Sequence, residues 1–210
     1  MNTRNYNFTG SVFMLSVLLF SSLMASPQAR AQNLLTCTWA GIGSGTIGTT
    51  QFNNDAFTIT TVGNTANIVP IYAGAGLSLD AISSSIILSG VGTFSFTSGT
   101  RTFVNVGIAG FSRGGISGND LLYSAKSAAF NSWNMLSSIG PISGTGELQQ
   151  WTLSPAVTTS DGTLVFDTAF PSIVFQATVS PVPEPGCYGV LAGAGMFFFS
   201  FGGRLLCQRK

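Results

Sequence analysis

The feature that most limits what this chain can fold into is a period of two in its hydrophobicity. In Ala56-Phe-Thr-Ile-Thr-Thr-Val62, Phe57 and Ile59 fall on one face and threonines on the other, the pattern of a half-buried β-strand. Ser85–Leu88 and Gly92-Thr-Phe-Ser-Phe-Thr97 read the same way, with Phe94 and Phe96 directed inward. Arg101–Val106 follows after Ser98-Gly99-Thr100, and this spacing predicts a hairpin between residues 92–97 and 101–106. Gly162–Phe166 and Ile173–Val179 are two further strands on either side of the turn-rich Asp167–Ser172, and Asp161-Gly162 is a turn dipeptide that introduces the first.

One segment fits two patterns. Leu121, Leu122, Ala125, Ala129, Trp133 and Leu136 stand near helical spacing, with Asn119 as an N-cap. Residues 130–138, ending at Gly140-Pro141, also fit a strand entering a turn. The expectation is a strand over Phe130–Ser138, with a short helix left open around Leu121–Ala128. No fixed-period repeat occurs. Many short strands at roughly ten-residue spacing predict an all-β fold, a single antiparallel β-sandwich or jelly-roll-like domain.

That domain is expected over Gln32–Ser180, about 150 residues and long enough for a real core. Its cations are Arg101, Arg113 and Lys126, against the carboxylates Asp55, Asp80, Asp120, Glu147, Asp161 and Asp167. With no basic patch, nucleic acid is not an expected partner. The chain has no histidine, which removes Ser-His-Asp and Cys-His nucleophilic sites and the commonest zinc ligand. Asn53-Asn54-Asp55 and Gly118-Asn119-Asp120 lack the alternating acidic spacing of a calcium loop, and Gly114-Gly115 lacks the Lys-Ser/Thr of a phosphate loop. No metal or other cofactor is expected. Cys37 is the domain's one cysteine and reads as a small buried apolar residue, since Cys187 and Cys207 fall in the tail. Trp39, Trp133 and Trp151 leave two readings open: core packing, or a sugar-stacking platform with Tyr72 and Tyr123.

Both ends of the chain carry address-like patterns. Arg4 is the single charge before Arg30, Ser11–Ala25 is dominated by Val, Phe, Met and Leu, and Ala29 and Ala31 occupy the −3 and −1 positions of a cleavage site. Residues 1–31 therefore read as a signal peptide for the Sec export machinery, with a retained N-terminal anchor as the alternative. At the other end, the rigid Pro183-Glu184-Pro185 precedes an uncharged run, Cys187–Gly203, and a basic end. That run rises roughly 25 Å as a helix, and Arg204 can snorkel so that Leu205 and Leu206 extend it. A transmembrane helix is expected at about 187–206. Arg204, Arg209 and Lys210 place its end on the cytoplasmic side, with the domain outside.

Val182-Pro183-Glu184-Pro185, then an apolar span, then an Arg/Lys end over residues 204–210, resembles the PEP-CTERM sorting signal of Gram-negative bacteria. The likeness covers residues 181–210, and Leu205-Leu206-Cys207-Gln208 interrupts the basic end. The resemblance implies recognition by an exosortase, a membrane-embedded cysteine transpeptidase, processing near the motif, and delivery to the cell surface or extracellular matrix. Three roles follow for the passenger. A structural or adhesive surface protein needs no site. A carbohydrate-binding module, with exopolysaccharide as partner, needs exposed tryptophans or a calcium site. A secreted carboxylate-dependent hydrolase needs two acids converging in a cleft. The first, a non-enzymatic role, is the expectation.

Overall fold

A computed structural model describes residues 33–114, 120–167 and 172–182. The chain runs through β1 (Asn33–Ile47), β2 (Thr50–Asn64), β3 (Val69–Ile71), β4 (Gly76–Asp80), β5 (Ser83–Leu88), β6 (Gly92–Ser95) and β7 (Thr100–Asn105). It continues through β8 (Ile108–Arg113), β9 (Asp120–Tyr123), β10 (Ile139–Gly144), β11 (Glu147–Leu148), β12 (Thr158–Thr159), β13 (Gly162–Phe166) and β14 (Ile173–Pro181). Short 3₁₀ turns lie at Thr65–Asn67, Tyr72–Gly74 and Ala128–Asn131. The fold is all-β and antiparallel, with two sheets arranged as a sandwich. One sheet follows the order β10-β14-β1-β2-β5-β6, with β13 pairing the far end of β1 and β12 pairing β13. The other follows β11-β9-β8-β7-β4-β3.

β1 and β2 set the frame because their alternation is long and strict. Leu35, Cys37 and Trp39 are buried on β1, opposite Phe57 and Ile59 from β2, while Thr36, Thr38, Thr58 and Thr60 face outward. The two strands join at Gly48, whose φ of +55° is left-handed and whose missing Cβ lets the turn approach the Asp161 carbonyl. Between the sheets, Trp39 meets Phe111 of β8 at 5.8 Å and Phe175 of β14 at 5.2 Å. Trp151 packs edge-on against Phe166 at 4.8 Å. Each such side chain taken from water contributes about 1.5–3 kcal/mol.

Three expectations are corrected. β6 and β7 do not form a hairpin: β6 pairs with β5, and β7 pairs with β4 and β8 in the opposite sheet. Residues 96–99 are the crossing between layers, and their backbone groups bond to Ser84 and Thr158 rather than to each other. Alternation reports which face a residue takes and is silent on the partner strand, so two strands of opposite sheets carry the same signal. The strand expected over Phe130–Ser138 is replaced by the turn at Ala128–Asn131, capped by Ser127 Oγ, and by bends. Phe130, Trp133 and Met135 all point into the core from this knob, a spacing no strand provides. Leu121–Ala128 holds β9 rather than a helix.

The expected signal peptide at residues 1–31, Pro183, Glu184, Pro185, the apolar run and the basic end fall outside the described residues. Among the described residues no helix is long and apolar enough to cross a membrane.

Candidate functional site

The three tryptophans are core residues. Trp39 is 0 % exposed, Trp151 2 % and Trp133 6 %, so they form no stacking platform. Trp133 donates its Nε1–H to the Ser137 carbonyl at 2.7 Å, and its ring lies 5.7 Å from Phe175. Cys37 is also buried, and desolvation pushes its thiol up to about 12 despite hydrogen bonds with Thr102 and Thr61. Such a thiol stays protonated and unreactive at neutral pH. Among the described residues no group of three metal-ligating side chains converges. Asp161 occupies the β12–β13 turn, and Asn53, Asn54 and Asp55 lie within β2 at the register shift opposite Gly43–Gly45, where Asn53 and Asn54 bond to Ser44.

Charge is distributed unevenly. Asp80, Arg101, Asp120 and Glu147 sit on strands of the smaller sheet, whereas the outer face of the larger sheet presents Thr36, Thr38, Thr58, Thr60, Ser85 and Gln176. On the smaller sheet Tyr123 stands edge-on to Phe103, with ring centroids 6.0 Å apart, and Phe103 lies over Gly110. A Cβ at residue 110 would sit 2.1 Å from the Phe103 ring, so only glycine fits there. The Tyr123 hydroxyl donates to Asp120 Oδ2 at 2.7 Å, while Asp120 Oδ1 is buried without a partner among the described residues. Burial first, then the bond to Asp120, raises the Tyr123 pKa. Arg101 Nε donates to Ser112 Oγ at 3.1 Å beside this pair.

Two grooves open at the β7–β8 end and share Val106, which is 76 % exposed. One, about 580 Å³, is bordered by Tyr123, Lys126, Ser143, Thr145 and Glu147. Its floor is fixed by Ser124, whose hydroxyl accepts from Ala109 N at 3.0 Å and donates to the Ala125 carbonyl. The other, about 430 Å³, runs between residues 74–77 and 130–134, with Asn105, Asn131, Ser132 and Asn134 above Phe130 and Trp133. It has no charged lining residue. These amides were missed in the sequence because residues 130–138 read as a strand, in which Asn131 and Asn134 would not share a face. The one available signal was that Phe130, Trp133 and Met135 do not keep a period of two.

Compared with protein-family models, curated proteins and solved structures, the chain matches none.

Proposed function

We propose that this is an exported surface or matrix protein with a structural or adhesive role, sorted through a C-terminal PEP-CTERM signal. Residues 1–31 act as the signal peptide. Residues 32–180 are the passenger. Residues 181–210 hold the motif Val182-Pro183-Glu184-Pro185, a membrane helix at about 187–206, and the stop charges Arg204, Arg209 and Lys210. The protein passes the cytoplasmic membrane with its domain outside and reaches the cell surface or extracellular space after an exosortase acts on the tail.

The observation that supports this reading is one register. β1 begins at Asn33, just past the cut expected after Ala31, and β14 ends at Pro181, just before the motif. Asn33 and Pro181 are direct partners in the ladder. The described part of this ladder therefore lies between the two expected processing regions, and cutting at either side removes none of its described rungs. A tail woven into the sheet would instead cost several backbone hydrogen bonds on removal. An epitope inserted after Ala31 tests the topology: protease added to intact spheroplasts removes it, and protection inside the cell contradicts the reading.

A further inference from the structure

We propose that the uncharged groove between the turns at Tyr72–Gly74 and Ala128–Asn131 binds a neutral saccharide, with Asn105, Asn131 and Asn134 as the polar contacts. The proposal concerns the passenger's ligand and stands apart from how the chain is sorted.

The amides have hydrogen-bonding groups to spare. Asn105 Oδ1 accepts from Val106 N at 2.8 Å, and Asn134 Oδ1 accepts from Leu136 N at 3.0 Å. Each bond uses the oxygen and leaves the Nδ2 donors for a ligand. Asn131 has no side-chain hydrogen bond among the described residues and is exposed, so both its donor and its acceptor are available. Vicinal hydroxyls of a pyranose offer the matching acceptor and donor pair. Leu77 and the exposed Val106 supply apolar surface for the C–H face of a sugar ring, and the buried Phe130 and Trp133 back the groove from the core. A charged ligand would find no counter-charge in this lining, whereas an uncharged hydroxyl-rich one leaves no buried charge unpaired.

The walls are held in unusual backbone. Tyr72, Ala73 and Met135 have φ of +52°, +55° and +63°, three of the four non-glycine residues in the left-handed region among the described residues. Each such residue is strained and persists where its surroundings over-determine it. Here they adjoin the two segments that border the groove, Gly74–Leu77 and Phe130–Asn134. About 430 Å³ accommodates one or two sugar units, and the shared Val106 leads into the second groove for a longer chain.

The test is calorimetric titration of the full chain in detergent micelles with cellohexaose, maltohexaose, laminarihexaose and, as the charged probe, a galacturonate hexamer. The expectation is saturable binding of at least one neutral hexaose and a loss of tenfold or more in Asn131→Ala, with an unchanged melting temperature. Asn131→Asp is expected to weaken the same ligand while folding normally. The proposal is overturned if no neutral hexaose binds, if binding is confined to the galacturonate, or if Asn131→Ala binds as the wild type does. Processing of the tail plays no part in this measurement, so a negative result leaves the sorting reading intact.

Discussion

Thr61 of the larger sheet and Thr102 of the smaller one share a hydrogen bond of 2.7 Å between their hydroxyl oxygens, buried in the interior of the sandwich. A polar rung inside an otherwise apolar core fixes the offset of the two layers, because neither hydroxyl has water to fall back on. Replacing one threonine removes this bond and leaves the other hydroxyl with the weaker Cys37 thiol as its side-chain partner. Thr61→Val or Thr102→Val alone is expected to cost about 1–3 kcal/mol, and the double variant less than the sum of the two. Urea unfolding of the four members of this cycle measures the coupling; strict additivity would contradict it.

Cys37 lies beside the same pair, and its raised pKa makes a signed prediction. The folded state holds the thiol proton up to about 12, whereas the unfolded chain releases it near the ordinary value of 9.0. Between those values the native state binds more protons, so stability is full below about pH 9 and falls as pH rises towards 12. The slope from this thiol is at most about 1.4 kcal/mol per pH unit. Tyr72 and Tyr123, also raised, add to the alkaline loss. Cys37→Ala is expected to flatten the part of the slope that begins near pH 9, read from melting temperature against pH.

Arg113 is a buried cation whose hydrogen bonds among the described residues all go to backbone carbonyls. Its Nε donates to the Pro155 carbonyl at 2.8 Å, and Nη2 to those of Gln150 and Leu153 at 2.8 and 2.9 Å. One guanidinium thus ties residues 150–155 to the end of β8. Arg113→Met removes these donors, leaving the Gln150 carbonyl only its long bond from Leu153 N at 3.4 Å, and is expected to cost about 3 kcal/mol or more. Arg113→Lys is expected to recover only a minor part, since a single ammonium does not span three carbonyls in that fork. Limited proteolysis at residues 150–155 gives a second readout, with faster cutting in both variants.

The all-β class was legible in the sequence because Phe57, Ile59 and the outward threonines alternate through β2, and solvent on one face enforces that pattern. Strand partners were not. Gly92–Ser95 and Thr100–Asn105 look like a hairpin because both alternate, and only the Phe96–Thr159 bridge and the Thr158 bonds reveal a crossing. Burial of Trp39, Trp133 and Trp151 was also undetermined, since a ring packed on a core and a ring packed on a sugar have the same sequence neighbours. The amide groove was hidden for a further reason. Its side chains come from β7 and from the knob after β9, and their approach depends on turns at Tyr72, Ala73 and Met135 that no glycine or proline at those positions announces.

Sorting through the tail is tested by a single substitution at Glu184. Pro183 and Pro185 lock φ near −65° and keep their predecessors out of helix, so Glu184 is expected in an extended strip next to the last rung at Pro181. Such a strip enters a transpeptidase cleft with little ordering cost, and a plain membrane anchor has no need of it. Glu184→Ala leaves hydrophobic length and the basic end unaltered. In a host that has the sorting enzyme, immunoblots of membrane fractions are expected to show the variant accumulating at full length, while the wild type loses all or most of residues 186–210. Wild type and variant both remaining full-length in the membrane would contradict the account and leave a protein held only by its C-terminal helix.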